Sequence, residues 1–376
     1  MKLIILLSSL LLMAALFFAC TTKSGSQEKP DIKPEALTQE AKPIPAEGWE
    51  ASWEKTLITA RKEGKVVVFS PIGTVERQAL SDSFTKDTNI LVEFIAGRSA
   101  ELTAKLLTER RAGIFNADLY FGGVSTQLTV LKPANVFEDM RPELILPEVT
   151  DPQMWFQKKL PFIDRDEKFI LAFRASPGGK TSILINKNMV NKEALASYFD
   201  LIKPEWKEKI LLNDPATEGK GRLWLFRPLY FGIFDVDYIK ALAKNEPVMV
   251  RDNRLQVEWI ARGKYPITIA FDEIIMLEFM QVGMPLDAFR PREEKPYLTA
   301  GFGGISLINK SPHPAARKIF LNWLLSKKGQ TVFSQSNISQ SARIDVPSNH
   351  LDPDSRREPG VDYFISDTED FHMKSM

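Results

Sequence analysis

Short apolar runs rich in β-branched residues alternate with amphipathic helical stretches along much of this chain. The first series has strands at residues 65–70, 89–96 and 117–121 and helices at 74–85, 99–111 and 125–131. An amphipathic helix at 53–60, with Gly64 as its stop, precedes the first strand. Strands that alternate with helices predict a parallel α/β sheet.

A second series of the same kind follows. Its strands are predicted at 181–186, 209–212 and 266–271, and its helices at 191–199 and 255–262. Apolar runs at 169–173 and 304–308 connect the two series, and a helical stretch follows at 315–334. Two α/β units joined by extended segments predict two lobes and a hinge.

Composition excludes several classes of function. Lysine and arginine total 49 against 48 aspartate and glutamate, and this balance argues against a nucleic-acid partner. A single cysteine excludes an intramolecular disulfide and any cysteine-rich metal site. The three histidines, His313, His350 and His372, leave little for a histidine metal site or a catalytic triad.

The N-terminal residues are predicted to form an export signal. Lys2 precedes an apolar run at residues 3–19, and the only cysteine, Cys20, follows Ala19 directly. This arrangement resembles the bacterial lipoprotein signal, in which cleavage precedes a cysteine that carries lipid. The resemblance implies a signal peptide at 1–19 and lipidation of Cys20. The alternatives are an ordinary secretory signal and an uncleaved membrane anchor.

Residues 20–46 are predicted to be a disordered tether. They contain Pro30, Pro34, Pro43 and Pro45 and hardly any large apolar side chain, so they cannot bury enough surface to fold. Lipid, tether and globular body together predict a protein held at a membrane and facing the periplasm or the cell exterior. Inner and outer membrane are not distinguished.

Spaced blocks between residues 50 and 345 resemble the type 2 periplasmic solute-binding proteins of ABC importers, the class that includes the iron(III)-binding branch. The most specific block reads DLIKPEWKEKI at 200–210, followed by Asp214-Pro215. The other blocks lie at residues 53–70, 97–102, 116–123, 261–267 and 311–330.

This resemblance implies the type 2 periplasmic-binding-protein fold, with two α/β lobes around a cleft and a hinge between them. By resemblance, the first lobe comprises residues 47–170 plus 300–340, and the second comprises 180–295 plus 341–376. A small polar ligand would close the lobes, and the closed form would be handed to an ABC permease in the inner membrane. No cofactor is expected.

Ligand contacts are predicted in loops that follow strand ends or open helices, where free N–H groups favour anions. The candidates in the first lobe are Ser70, Thr74, Arg98, Ser99, Gly123 and Ser125. Arg98 would clamp a carboxylate or phosphate, and glycine at 123 would permit close backbone approach. The alternatives are helix capping by Thr74 and Ser99, a solvated Arg98, and a tight turn at 122–123.

The second lobe supplies four further candidates. Asp214 and Thr217 follow one predicted strand, and the adjacent carboxylates Asp272 and Glu273 follow another. The carboxylates would meet an amine or a hard cation, whereas Arg98 and the helix-start loops favour an anion. The alternatives are capping by Asp214 and a solvated turn at 272–273. We expect a small polar organic ligand with at least one anionic group.

Aromatic side chains are candidates for an apolar wall of the cleft, although core packing is the alternative for each. They are Tyr120, Trp224, Tyr230 and Phe302.

Other functions compete with this hypothesis. Ferric iron is the alternative ligand. Much of the iron(III) branch, which this chain resembles, carries two adjacent tyrosines, whereas none of the seven tyrosines here is adjacent to another. An exported enzyme is disfavoured because no Ser-His-Asp, Cys-His or HExxH arrangement appears, so no catalytic or metal-ligating residue is assigned. A role as a sensor or assembly lipoprotein with the same fold is a further alternative, because fold does not determine function.

Overall fold

The computed structural model of the protein describes residues 48–178, 181–216 and 220–375, without the side chains at 274 and 354. The predicted signal peptide at 1–19, Cys20, the tether at 20–46 and Thr217 lie outside the described residues. Across the described ranges, no helix combines the length and apolar character needed to cross a membrane.

Strands and helices alternate through most of the described chain. The strands are β1 (Lys65–Ser70), β2 (Leu91–Ala96), β3 (Leu119–Gly122), β4 (Leu171–Ala172), β5 (Ser176–Pro177), β6 (Ile183–Asn186), β7 (Ile210–Asn213), β8 (Val248–Val250), β9 (Ile267–Ile269), β10 (Leu286–Phe289), β11 (Tyr297–Thr299), β12 (Gly304–Leu307) and β13 (Phe364–Ile365).

The α-helices are α1 (Trp49–Glu63), α2 (Thr74–Thr88), α3 (Ser99–Arg111), α4 (Val124–Thr126), α5 (Pro147–Thr150), α6 (Lys220–Tyr230), α7 (Val236–Lys244), α8 (Asn253–Ala261), α9 (Glu273–Gln281), α10 (Pro314–Leu325), α11 (Lys327–Ser336) and α12 (Glu369–Ser375). A π-helical turn, Gln127–Leu131, continues α4.

The first lobe is built on a five-stranded sheet of order β2-β1-β3-β12-β4. β1 pairs in parallel with β2 and β3, whereas β12 runs antiparallel to β3 and β4. The sheet is therefore mixed, which corrects the prediction of a purely parallel sheet. The physical reason is that β4 and β12 are segments that enter and leave the lobe, rather than strands joined by a crossover helix.

Both faces of this sheet are covered. Val66 and Val68 join a core with Phe84 of α2 and Phe320 of α10, whereas Phe69 faces a second core with α3. Burial on both faces explains why β1 is a continuous apolar run rather than an alternating one.

The second lobe is built on another five-stranded sheet, of order β10-β6-β9-β7-β8. β7 pairs in parallel with β8 and β9, and β6 runs antiparallel to β9 and β10. Separate apolar cores lie on its two faces, one around Tyr198 and Trp224 and the other around Val257 and Ile260.

A small three-stranded sheet, β13-β11-β5, lies where the chain passes between the lobes. β5 and β11 are antiparallel neighbours that belong to the two crossing segments, and β13 comes from the tail. The two-lobed, hinged architecture expected from the resemblance is thus present.

The tail makes contacts that differ from its assignment to the second lobe, 180–295 plus 341–376. Ala342 and Tyr363 are buried in the core of the first lobe, and the buried Arg343 contacts Glu148 there. That assignment rested on the family resemblance, whereas the apolar side chains of the tail determine where each part of it packs.

Two of the predicted helices differ in detail from the helices in the structure. The stretch 191–199 forms separate 3₁₀ turns, Lys192–Leu195 and Tyr198–Asp200, because the Asn191 and Ser197 side chains accept N–H groups two residues ahead. The stretch 315–334 is two helices, because the Ser326 hydroxyl caps α11 by accepting the Gly329 N–H.

Candidate functional site

The predicted loops of the first lobe emerge at one edge of its sheet. Ser70 lies opposite Ala96 in the parallel pairing, and Phe69 lies opposite Tyr120, so the loops after β1, β2 and β3 share the carboxyl edge. A Cβ added at Gly122 would come within 2.8 Å of Pro71, so the loops after β1 and β3 touch.

The side chains of these loops differ in how available they are to a ligand. Ser70 is fully buried, and its hydroxyl accepts the Ile72 N–H at 3.3 Å. Thr74, Arg98 and Ser125 are exposed, although the Thr74 hydroxyl accepts from Arg77 at 3.0 Å.

Ser99 and Gly123 are half-buried. Ser99 begins α3, and its carbonyl accepts the Thr103 hydroxyl. Phe302 is 47% exposed, with its ring 3.5 Å from where a Gly123 Cβ would lie. The structure brings the six first-lobe candidates to one edge, and their contact with a ligand stays a prediction.

Tyr120 does not form part of an exposed wall. Its ring is fully buried in the core under α3, and burial raises the pKa of its hydroxyl. The hydroxyl lies near the Ser99 and Thr103 side chains without a hydrogen bond of acceptable geometry to any described residue.

The second lobe likewise gathers its candidate residues at one edge. β7 and β9 end there, with Leu212 opposite Ile269, and β6 begins there, with Ile183 opposite Ile269. β10 also ends there, with Phe289 opposite Ile183. Residues just before β6 and just after β7, β9 and β10 therefore lie together.

Asp214, directly after β7, is held by its neighbours. Its carboxylate accepts from Arg251 at 2.8 Å and from the Ala216 N–H at 2.9 Å. The hydrogen bond from Arg251 is the main reason that the pKa of Asp214 is lowered. Asp214 thus stabilises the turn after β7. This role is similar to the capping that the sequence offered as the alternative to ligand contact.

A cavity of about 320 Å³ opens at this edge of the second lobe. Its lining is mostly polar or aromatic: Thr181, Ser182, Lys220, Leu223, Trp224, Arg227, Ala270, Phe271, Asp272, Glu273, Glu294 and Tyr297. Asp272, Glu273 and the aromatic candidate Trp224 are the sequence-predicted residues in this lining.

The starts of α6 and α9 face each other across the cavity. Lys220 Nζ, at the start of α6, pairs with Asp272 Oδ2 at 2.6 Å, and both side chains are partly exposed. Glu273, the first residue of α9, accepts from the backbone N–H and the hydroxyl of Thr181.

A third acid of the cavity, Glu294, is buried. Glu294 accepts the Ser182 hydroxyl at 2.6 Å, and burial raises the pKa of the Glu294 carboxyl. The Arg227 guanidinium carbon lies 3.5 Å from the ring centre of Tyr297. Arg227 Nε and Trp224 Nε1 are buried without a hydrogen-bond acceptor among the described residues. The cavity therefore combines charges of both signs with aromatic surface.

Metal-ligating side chains do not converge in the described ranges. No group of three or more histidine, cysteine, aspartate and glutamate residues there is arranged to hold an ion. Of the tyrosines, Tyr297 lines the cavity, whereas Tyr230 packs against Phe226 and Phe371.

Several lining residues carry little or no signal in the sequence. The only sequence signal at Lys220 is Gly219-Lys220-Gly221, an incomplete phosphate-binding motif. Arg227 and Glu294 have no recognisable motif around them. Arg227 lies in the second turn of α6 and Glu294 follows β10, so only the folded sheet brings them together.

Comparisons with known proteins agree with this architecture. Residues 74–336 match the family described as bacterial extracellular solute-binding protein. The curated relative "Iron uptake protein A1" of Synechocystis sp. is 22% identical over 281 residues, 71% of this chain and 72% of the relative.

Two solved structures share the fold. Trichodesmium FutA, in complex with iron and citrate, is 20% identical with a TM-score of 0.59, covering 82% of this chain and 94% of that chain. AfuA from Actinobacillus pleuropneumoniae, with fructose-6-phosphate bound, is 20% identical with a TM-score of 0.51, covering 82% of this chain and 93% of that chain.

The fold of these structures is the type 2 periplasmic-binding-protein fold expected from the sequence. Because the matched segment covers well over half of the chain, the protein belongs to the bacterial extracellular solute-binding proteins.

Proposed function

We propose that this protein captures a small polar solute carrying at least one anionic group at the facing sheet edges of its lobes. It then delivers the solute to an ABC permease in the inner membrane. The observation that carries the proposal is the cavity of about 320 Å³ at the carboxyl edge of the second sheet. Pockets of this size suit small organic ligands.

The charged side chains in the cavity support the ligand class. Lys220 is partly exposed and would exchange its partner Asp272 for a ligand anion, while Arg227 supplies a second cation nearby. Asp272 and Glu273 would then accept from hydroxyl or amino groups elsewhere on the same solute. In the first lobe, the exposed Arg98 and the loop at 123–125 would close over it.

The ligands of two similar proteins are consistent with this class. FutA is in complex with iron and citrate, and AfuA has fructose-6-phosphate bound. Citrate and a sugar phosphate are both anions with several hydrogen-bonding oxygens. By analogy, the cavity here would take a carboxylate or phosphate ester of comparable size.

A thermal-shift screen of carboxylates, phosphate esters, phosphonates, polyamines and metals tests the proposal. A ligand at a hundred times its dissociation constant stabilises a protein by about 2.7 kcal/mol. We expect an anionic compound to raise Tm, and Arg227→Met or Lys220→Met to abolish the rise. The matched control is Arg254→Met, because Arg254 is exposed and pairs with Glu278 outside the cavity. A stabilising compound whose effect survives both cavity variants would refute this site.

Ferric iron is the second candidate, because a curated relative is named an iron uptake protein. Tyr297 is the tyrosine to test, since it lines the cavity beside Glu294, whereas Tyr120 and Tyr230 do not. Iron held by tyrosinate would give a visible charge-transfer band that Tyr297→Phe removes. We expect no such band on addition of ferric citrate, and a stoichiometric band would favour the iron function.

A lipid on Cys20 would hold the protein at the membrane, facing the periplasm or the cell exterior, with 20–46 as its tether. The sequence Ala19-Cys20 after an apolar run supports this part of the proposal. We also propose that the protein has no catalytic activity of its own, since the family to which it belongs is defined by solute binding.

A further inference from the structure

The end of the described chain, residues 363–375, contacts both lobes. We call this segment the C-terminal strap. It lies beyond residues 74–336, the stretch that matches the family, so family membership does not explain it. It comprises β13, a short connection and α12.

The strap first follows the hinge. Phe364 donates its backbone N–H to the Pro296 carbonyl at 3.0 Å, and Ser366 donates to Leu298 at 3.2 Å. The Asp367 carboxylate then accepts the Ala300 N–H at 2.6 Å. These bonds fix the strap along the crossing segment that contains β11.

One end of α12 is held by the first lobe. The buried Glu369 accepts from Lys132 Nζ at 2.6 Å and from the Arg165 N–H at 2.7 Å. Its own N–H donates to the Ile163 carbonyl at 2.9 Å. The neighbouring Asp370 pairs with the Arg165 side chain at 2.6 Å.

The second lobe holds the same helix through an aromatic side chain. Phe371 is 1% exposed, and its ring centre lies 5.1 Å from that of Phe226 and 5.2 Å from that of Tyr230, both on α6. Such edge-to-face contacts are favourable beyond simple burial. Met373, two residues along, is 41% exposed.

Both attachments reach helical segments that begin at the candidate site. Lys132 follows the π-helical turn that continues α4, and α4 starts directly after Gly123. Phe226 and Tyr230 lie on α6, whose Lys220, Trp224 and Arg227 line the cavity. The strap therefore contacts one element of each lobe that begins at candidate ligand-binding residues.

We propose that the C-terminal strap is a conformational device that restricts rotation of the lobes about the hinge. When the lobes separate, α12 must lose either its polar contacts around Glu369 or its aromatic contacts around Phe371. The strap thereby narrows the range of interlobe distances in the absence of any solute. This role goes beyond solute capture and holds whichever solute is bound.

Distance measurements between spin labels by pulsed electron resonance test the strap. In the full chain with Cys20→Ser, Lys86→Cys on α2 and Lys244→Cys on α7 place one label on an exposed position of each lobe. Phe371→Ala removes the second-lobe attachment and Glu369→Ala the first-lobe attachment. Met373→Ala is the matched control on the same helix.

We expect each attachment variant to add a population of longer interlobe distances that the parent and the Met373→Ala control lack. Circular dichroism confirms that each variant is folded. If Phe371→Ala does not fold, Glu369→Ala alone decides. Folded attachment variants whose distance distributions superimpose on that of the parent would overturn the proposal.

Discussion

At the scale of single residues, the cavity is defined by a few buried polar contacts that the chain brings together from distant positions. Ser182 directly precedes β6, and Glu294 follows β10. Their side chains nevertheless meet, with Ser182 Oγ 2.6 Å from Glu294 Oε2. The sequence offered Asp272 and Glu273 because they directly follow a recognisable strand. It offered no signal for Glu294, since pairing between remote strands decides its neighbours.

Glu294→Gln tests the environment of this buried acid through the pH dependence of stability. Burial raises the pKa of Glu294 in the folded protein, so the folded state binds this proton more tightly than the unfolded state. Its contribution to stability is therefore most favourable below the unfolded pKa of about 4.3 and is lost as pH rises towards the folded pKa. We expect Glu294→Gln to gain stability relative to the parent as the pH rises above about 4.3.

Urea unfolding of both proteins at each pH measures this difference. Each tenfold increase in the proton affinity of the folded state corresponds to about 1.4 kcal/mol once the pH exceeds the folded pKa. The control is Glu193→Gln, at an exposed position outside the cavity. A stability difference for Glu294→Gln that does not change with pH would show that its carboxyl is not held in a desolvated position.

At the scale of secondary-structure elements, the sequence predicted the first lobe more accurately than the second. β1 and α3 have the predicted bounds, because a β-branched run and an amphipathic helix of more than ten residues carry strong periodicity. β8, β10 and β11 were missed, because three or four residues are too few to establish a pattern. The antiparallel direction of β6 and β12 could not be read from local sequence, because it is set by how the chain crosses between lobes.

Phe333→Ala tests how α11 is fixed to the first sheet. Its ring centre lies 5.1 Å from that of Phe173 and 5.5 Å from that of Phe121, and the side chain is 1% exposed. Truncation leaves a cavity beside the rings of Phe121 and Phe173, so we expect the free energy of unfolding to fall by about 3–5 kcal/mol. Chemical denaturation measures the loss.

Gln335→Ala, at an exposed position of the same helix, serves as the control and should change stability by less than about 0.5 kcal/mol. A loss for Phe333→Ala no larger than that for Gln335→Ala would contradict the inference that packing of Phe333 fixes α11 to the first sheet.

At the scale of the whole molecule, the resemblance in spaced blocks predicted two lobes and a hinge, and the structure has both. What it could not predict was the course of the tail, whose few apolar residues, such as Tyr363 and Phe371, are buried against both lobes. The net charge near zero and the single cysteine agree with a protein whose function is solute binding rather than nucleic-acid or disulfide chemistry.

Cys20→Ser tests the predicted membrane anchor. Cys20 is the only thiol, so the substitution leaves no residue for lipid attachment through sulfur. Because each buried CH₂ contributes about 0.8 kcal/mol, a multiply acylated wild type should enter the detergent phase on partitioning. The variant should stay in the aqueous phase, and a wild type that also stays there would contradict lipidation.

The most direct test of solute capture between two lobes is small-angle X-ray scattering with and without a saturating compound from the thermal-shift screen. A ligand that binds the closed form more tightly must shift the population towards it. We predict a smaller radius of gyration with the compound bound, and no such change in Arg227→Met. An unchanged radius in wild-type protein that is demonstrably saturated would contradict capture by closure of the lobes.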